Sequence, residues 1–279
     1  MFSFPIGVLL DGFRLPVDAA LDQAVAVGAQ GIQVYATHGE LAPENLVGEK
    51  RAEFARKVAD RGLTISALCG DIGRFDDRAV NPGRIERSKR IMDLAKELGV
   101  NIVTTHIGVV PADVHHERYQ IMQEACWELS RYADSMGAHF AIETGPEPAE
   151  TLKTFLDGLR STGVAVNLDP ANLAMVTGDD PVQAVYTLRN YIVHTHAKDG
   201  VKLADNDPEV VYGLVQSEVP TGRGFQEVPL GEGDVDWPRY LAALDDIGYR
   251  GFLTIEREVG PDPAADIAMA VQFLRKQLG

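Results

Sequence analysis

The chain has 279 residues, 45% of them hydrophobic, and a formal net charge of −15 at pH 7. This length and composition suit an ordinary globular protein made of one barrel domain of roughly 250 residues. The excess of acidic residues disfavours nucleic acid and anionic membrane surfaces as partners, because both repel negative charge. Neutral sugars and other small metabolites stay open as ligands.

The cysteine content and the N-terminal segment indicate the compartment. Cys69 and Cys126 form no CxxC pair and no even framework, which argues against a disulfide scaffold and favours a reducing environment. The first residues lack a basic stretch, and Asp11 and Arg14 interrupt the apolar run early. We therefore expect neither a signal peptide nor a membrane span, and a cytoplasmic protein.

Short apolar runs rich in β-branched residues alternate with segments of helical period. Several of these runs are apolar at nearly every position, which is typical of parallel strands covered on both faces. The predicted strands are Pro5–Leu10, Gly31–Tyr35, Leu63–Leu68, Asn101–Thr105, His139–Glu143, Val164–Asp169, Tyr191–His196 and Phe252–Glu256.

The intervening segments have the apolar spacing of amphipathic helices. Predicted helices include Pro16–Val27, Pro43–Arg61, Gly83–Leu98 and Glu117–Ser135, and Gly99 is a typical helix stop. Alternating strands and helices predict a parallel sheet. An open doubly wound sheet shares this alternation, but repeated units without a second domain favour closure. We predict an α/β fold, a single (β/α)8 TIM barrel over residues 1–279.

One unit breaks the rhythm after the seventh strand. The segment Asp199–Val235 is rich in turn residues and predicts a long loop, followed by a helix at Trp237–Ile247 with Asp236 as its N-cap. A loop at this place lies on the face where barrel enzymes keep their active sites. The stretch Thr221–Gly224 is too weak a pattern to predict a phosphate loop.

Acidic and imidazole side chains fall at the carboxyl ends of the last four predicted strands. These are Glu143, Asp169, His196 and Glu256, and neighbouring strands of a barrel would bring them together. A single acid at a strand end is often only a helix cap or a salt-bridge partner. Three carboxylates together repel unless a cation neutralises them, so the set predicts one divalent metal ion: Mn²⁺, Mg²⁺ or Co²⁺, with Zn²⁺ left open.

Three histidines lie at predicted strand ends. His194 and His196 share a strand face, and His196 is nearer the carboxyl end, so we predict it as the ligand and His194 as a packed interior residue. His106 ends the fourth strand. We interpret it as a polar contact to substrate, with a structural histidine as the alternative.

Two stretches resemble a known superfamily. The run 194–200, His-Thr-His-Ala-Lys-Asp-Gly, and the run 230–237, Leu-Gly-Glu-Gly-Asp-Val-Asp-Trp, are similar to the xylose isomerase-like sugar phosphate isomerase/epimerase superfamily. The strand ends at Glu143, Asp169 and Glu256 fit the same pattern. The resemblance covers essentially the whole chain and is most specific from the fifth strand onward.

The resemblance to the ketose 3-epimerase branch implies roles for the four strand-end residues. Metal ligation is implied for Glu143, Asp169, His196 and Glu256, and acid/base catalysis for Glu143 and Glu256 on opposite faces of the substrate carbon. Removing a proton next to a ketone leaves an enediolate, which a divalent ion stabilises, and Mn²⁺ is the ion we expect first.

The chain departs from that branch in the predicted substrate contacts. Asn172 stands where the branch has a histidine three residues after the aspartate. Glu147 is near the branch's second substrate-binding glutamate but at a different spacing. The arginine beyond the metal histidine is missing, and Lys198 or Lys202 would replace it. The predicted substrate-binding residues are His106, Glu147, Asn172 and Lys198.

These features predict a metal-dependent carbohydrate isomerase or epimerase. Its partner would be a small sugar or polyol-derived ketone, with neither nucleic acid nor a membrane, and a homo-oligomer is left open. An inosose dehydratase-like lyase would use the same metal and the same proton abstraction. An endonuclease IV-like enzyme is disfavoured by the acidic charge and because no histidine follows His196. A non-catalytic sugar-binding barrel is a further alternative.

Overall fold

A closed parallel barrel forms the centre of the molecule. The computed structural model describes residues 2–205, 207–214 and 224–279. Its strands are β1 (Ile6–Leu9), β2 (Gly31–Tyr35), β3 (Thr64–Cys69), β4 (Ile102–Thr105), β5 (His139–Glu143), β6 (Val164–Leu168), β7 (Ile192–Ala197), β8 (Asp199–Lys202), β9 (Phe225–Val228) and β10 (Leu253–Ile255). Eight of these described strands pair in the order β1-β10-β7-β6-β5-β4-β3-β2 and close the circle. The prediction of a (β/α)8 barrel is confirmed.

Helices surround the barrel. They are α1 (Val17–Val27), α2 (Glu49–Asp60), α3 (Asn81–Glu97), α4 (Glu117–Met136), α5 (Ala149–Leu159), α6 (Pro170–Asn172), α7 (Pro181–Thr187), α8 (Pro208–Val211), α9 (Trp237–Asp246) and α10 (Pro263–Leu278). The predicted start of the second helix at Pro43 was wrong. Gly48 has a φ of +56° immediately before α2, a backbone conformation that cannot continue a right-handed helix.

The core lies between the barrel wall and the helix layer. Every residue of β6, and all of β5 except its first, is buried, as expected for parallel strands covered on both sides. On α5 the side chains at helical spacing that face this wall are Leu152, Phe155, Leu156 and Leu159, each at most 1% exposed. Burying such side chains stabilises the fold by about 1.5–3 kcal/mol each.

The segment after β7 has regular structure that the sequence did not suggest. β8 and β9 pair as an antiparallel hairpin. The Asp199 carboxylate organises its base, since it accepts hydrogen bonds from the amides of Gly200 (3.0 Å), Gly231 (2.9 Å) and Val235 (3.3 Å). The Trp237 indole donates a further one at 2.9 Å. The buried Asp199 carboxylate thus stabilises the packing of this segment against the barrel.

Part of the predicted loop lies outside the described residues. This applies to residue 206 and to residues 215–223, which include most of Thr221–Gly224. Among the helices in the described part of the chain, none combines the length and the apolar run that a bilayer crossing needs.

Candidate metal centre and active site

Four side chains meet at the carboxyl end of the barrel. Glu143 ends β5, Asp169 follows β6, His196 lies in β7 and Glu256 follows β10, and these strands are consecutive neighbours in the barrel. One ligand atom from each residue lies within 4.8 Å of all the others. The Nδ1 atom of His196 is 3.5 Å from Glu143 Oε2, 3.5 Å from Asp169 Oδ2 and 3.3 Å from Glu256 Oε2.

The centre of this cluster has the properties of a cation site. Asp169 Oδ2 and His196 Nδ1 are buried and have no hydrogen-bond partner among the described residues. An unsatisfied buried polar atom costs about 1–3 kcal/mol, and both atoms point to the same small space. Three carboxylates and one imidazole are ligands suited to Mn²⁺, Mg²⁺, Co²⁺ or Zn²⁺. The residues present could therefore hold one divalent ion.

A hydrogen-bonded relay from the barrel interior orients the His196 ring. The Gln33 side-chain amide donates to Thr104 Oγ1 at 2.7 Å, and the Thr104 hydroxyl donates to the Leu68 carbonyl at 3.5 Å. This leaves Gln33 Oε1 as the acceptor for His196 Nε2, 3.0 Å away. A ring that donates its Nε2 proton to Gln33 can present an unprotonated Nδ1 to a cation, as a metal ligand requires.

Glu143 is held by two side-chain amides. Asn172 donates to its Oε1 at 2.9 Å and Asn167 donates to its Oε2 at 3.2 Å. Gly145 has a φ of +134°, and a Cβ there would lie 2.3 Å from Asn172 Cβ, so a glycine is needed for this approach. The structure thus brings Asn172, predicted as a substrate contact, to the cavity wall and directly to Glu143.

Glu256 has a cationic partner instead. The ammonium group of Lys198 is 3.0 Å from Glu256 Oε2 and 2.5 Å from Glu258 Oε2, and the lysine side chain is only 3% exposed. Burial alone raises the pKa of Glu256, but the charges of His196 and Lys198 outweigh it and hold this pKa well below its ordinary value. Burial lowers the pKa of Lys198, but the surrounding carboxylates, Glu256 first, raise it well above its usual range.

The pKa values of the two remaining cluster residues, Asp169 and His196, are also shifted. Burial raises the pKa of Asp169, and the neighbouring His196 and Lys198 oppose this rise. Burial disfavours the charged ring of His196, yet Glu256 and Glu143 together raise its pKa well above the usual value. The carboxylates thus favour positive charge at the point where the four candidate ligand atoms meet.

His106 and His194 lie at different depths. His106 lines the cavity, donates from Nδ1 to Asp71 Oδ2 at 3.1 Å, and places Nε2 3.6 Å from Glu143 Oε1. Burial opposes its charged form, but Glu143 and Asp71 outweigh burial and raise its pKa to about 9. His194 is packed inside the barrel, donating to Asn167 and accepting from Thr254, as an interior residue would.

Glu147 is separated from the cavity. It is 3% exposed, and its carboxylate accepts a hydrogen bond from the backbone amide of Val110 at 3.0 Å. It is not among the described residues that line the cavity. The contact that the structure shows is structural, because it anchors the loop after β4, and the predicted contact to substrate stays a prediction.

The cavity above the cluster has a volume of about 310 Å³ and a mixed lining. The acids and His106 contribute to it, together with five largely apolar side chains, Met175, Val176, Val211, Tyr212 and Phe225.

Sequence reasoning missed the supporting residues Gln33, Asn167 and Asp71. A polar side chain inside an otherwise apolar strand, as in Ile32-Gln33-Val34 and Val166-Asn167-Leu168, is the signal that could have identified the first two.

The chain shares its sequence pattern with proteins of one family. The model of the "Xylose isomerase-like TIM barrel" family matches residues 21–277. The protein YfiH of Bacillus subtilis (strain 168), described as uncharacterized, is 25% identical over 95% of this chain and 96% of its own length. L-ribulose-5-phosphate 3-epimerase UlaE of Escherichia coli (strain K12) is 24% identical over 87% of this chain and 82% of its own.

Solved structures show the same architecture. A xylose isomerase domain protein from Planctomyces limnophilus has a TM-score of 0.79 and 25% identity, covering 99% of this chain and 96% of that one. A D-psicose 3-epimerase from Clostridium cellulolyticum H10, solved with D-tagatose, has a TM-score of 0.73 and 15% identity, covering 98% and 99%. With its closed barrel and a family match over nearly its whole length, this chain belongs to the xylose isomerase-like TIM-barrel family.

Proposed function

We propose that the chain is a divalent-metal-dependent carbohydrate isomerase or epimerase that moves a proton on the carbon next to a ketose carbonyl. The observation that carries this proposal is the convergence of Glu143, Asp169, His196 and Glu256, with unpartnered atoms of Asp169 and His196 turned to a common centre. The printed names of relatives support the reaction class, since UlaE is a 3-epimerase acting on a ketose phosphate.

The four residues of the cluster would hold the ion, and Mn²⁺ is our first expectation. When bound, the ion would withdraw electron density from the substrate carbonyl and stabilise the negative charge that develops there as the proton leaves. The buried, unpaired Cys69 and Cys126 are consistent with a reducing cytoplasm, where we propose that the protein acts.

Glu143 and Glu256 would act as the acid/base pair. They extend from β5 and β10, which are separated by β6 and β7 in the barrel, so the two carboxylates approach the cavity from different sides. One carboxylate takes a proton from the substrate carbon and the other, protonated, returns one to the opposite face, which inverts the centre. Lys198 beside Glu256 and the amides of Asn172 and Asn167 on Glu143 hold the pair in place.

The cavity wall provides the proposed substrate contacts. His106, Asn172 and Lys198 line it and could bond hydroxyl groups of a small ketose, whereas Glu147 would need a rearrangement to reach it. A cavity of about 310 Å³ is of the size that small-molecule sites have.

The experiment is solvent exchange with matched variants. Purified protein loaded with Mn²⁺ is incubated with ketoses in D₂O, and deuterium at the carbon next to the carbonyl is followed by NMR. Glu143→Gln and Glu256→Gln should each lower exchange at least about 10³-fold, because each removes one proton carrier. Glu49→Gln, the same chemical change at an exposed residue of α2, should leave it unchanged.

The outcomes separate the alternatives. Exchange with inversion or aldose formation supports the proposal, whereas exchange followed by loss of water indicates a lyase. Metal binding without exchange in any compound would indicate a sugar-binding barrel and contradict an enzyme. Full activity in either glutamine variant would remove the proposed acid/base pair.

A further inference from the structure

Resting on the proposed function, we propose that this site takes an unphosphorylated, uncharged ketose or polyol-derived ketone, and that it rejects the corresponding phosphate esters. The inference comes from the groups that would receive a phosphate. Among the described residues, the amides after β7, the Arg257 guanidinium and the Lys198 ammonium are already engaged by the protein's own carboxylates.

The loop after β7 is one place where barrels of this type bind phosphate, through backbone amides. Here the amides of Gly200, Gly231 and Val235 and the indole of Trp237 all donate to the carboxylate of Asp199. Asp199 is 1% exposed. An internal anion thus fills the amide cradle that an external anion would use.

The segment after β10 is the second such place, and it is occupied in the same way. The guanidinium of Arg257 is 10% exposed and is bonded to Glu227 at 2.6 Å and Asp266 at 2.9 Å. The amino end of α10 is capped by the side chain of Asp262, which accepts from Ala265. Neither the guanidinium nor the helix end therefore offers its positive charge to a ligand.

The cations of the cavity itself are paired as well. Lys198 is the one lysine or arginine among the described lining residues, and it lies between Glu256 and Glu258. His106 is bonded to Asp71. Glu258 is 59% exposed and Asp71 32%, so a dianionic phosphate entering the cavity meets two carboxylates at its rim. Like charges brought together in this way oppose binding strongly.

An uncharged sugar meets no such opposition. Its hydroxyl groups can donate to the remaining acceptor positions of the Asp71 and Glu258 carboxylates. Its carbon-bound hydrogens can pack against the apolar side chains of Met175, Val176 and Phe225. The lining of the cavity is therefore complementary to a polyhydroxy carbonyl compound.

The test compares each ketose with its own terminal phosphate ester. Mn²⁺-loaded protein is assayed by deuterium exchange with D-fructose and D-fructose 6-phosphate, and with L-ribulose and L-ribulose 5-phosphate. We expect kcat/KM to be at least about 100-fold higher for the free ketose of an accepted pair. In a thermal melt of the Mn²⁺-loaded protein, the accepted ketose should raise the Tm, whereas its phosphate ester should not.

A charge variant probes the cause of the discrimination. Glu258→Gln should raise kcat/KM for the ester relative to the free ketose by about 3- to 10-fold, because it removes one negative charge from the rim. Glu49→Gln should leave that ratio unchanged. A ratio that is the same in both variants would contradict the charge argument.

The inference and the proposed function fail in different ways. If an ester is exchanged as fast as its free ketose or faster, the inference is overturned while the proposed function stands. If none of the compounds exchanges and none shifts the Tm, the proposed function itself fails, and the inference falls with it.

Discussion

Two buried glutamates at the barrel mouth show how differently burial acts on the same chemical group. Glu256 and Glu147 are 7% and 3% exposed. Glu256 lies beside His196 and Lys198, whose charges outweigh burial and hold its pKa well below the ordinary value. Glu147 has a backbone amide as its hydrogen-bond partner, and burial raises its pKa to about 8.

Neighbouring charge, rather than depth, thus decides which carboxylate stays ionised. Lys198 and His196 keep the Glu256 carboxylate anionic in the interior, and an anionic carboxylate is the form that could bind a cation. Around Glu147, burial favours the neutral form of a side chain that ties a loop to the barrel. Three experiments test this contrast.

The largest effect is expected on the pH dependence of stability at Glu147. The pKa of Glu147 in the folded protein, about 8, lies above the ordinary 4.5. Its protonation therefore contributes fully to the free energy of unfolding below pH 4.5, and this contribution is lost as the pH rises through 8. The difference between these two pKa values corresponds to about 5 kcal/mol. Glu147→Gln, which cannot ionise, should gain stability over the native chain by up to this amount between pH 4.5 and pH 9.

The measurement is urea unfolding of both proteins across that pH range, with Glu150→Gln as an exposed control. If the unfolding free energies of the native chain and of Glu147→Gln change with pH in parallel, Glu147 is ionised in the folded state. The proposed contrast with Glu256 would then be wrong.

The next effect concerns the cationic partner of Glu256. Lys198→Met leaves that buried carboxylate without its ammonium partner and should cost about 3–5 kcal/mol of stability in the metal-free protein. Lys202→Met removes a more exposed lysine near Asp205 and should cost at most about 1 kcal/mol. Chemical denaturation in the presence of a chelator compares the two variants.

Metal should restore part of the loss in Lys198→Met. A divalent ion replaces the missing positive charge, so saturating Mn²⁺ should raise the Tm of this variant more than that of the native chain. An equal rise in Tm for both would indicate that Lys198 and the ion do not share the same carboxylates.

The smallest effect is expected from the relay behind His196. Gln33→Leu removes the acceptor of the His196 Nε2 proton and should weaken Mn²⁺ binding about 10- to 100-fold, as loss of an outer-shell partner of a metal ligand does. Isothermal titration calorimetry measures the affinity directly, without reference to turnover. Gln272→Leu, on the exposed face of α10, is the matched control, and unchanged affinity in Gln33→Leu would remove the relay from the metal site.

The amino-acid sequence was enough to predict the order of strands and helices and the positions of the acidic and imidazole groups. Strands such as His139–Glu143 and Val164–Asp169 are recognisable in the sequence because a parallel strand covered on both faces is apolar at nearly every position. The acids at their carboxyl ends are recognisable as candidate functional residues because a charged residue is unusual in such a run. Glu143, Asp169, His196 and Glu256 could therefore be named as a group before any coordinates were known.

The strand pairing that closes the barrel and the partner of each charge are seen only in the three-dimensional structure. Pairing of β1 with β10 joins chain segments from opposite ends, and local periodicity contains no record of it. The contacts of Asn172 with Glu143, of Lys198 with Glu256 and of Gln33 with His196 join different strands or the loops after them. Such contacts depend on side-chain direction and on barrel register to within a few tenths of an ångström, and no spacing along a single strand encodes them.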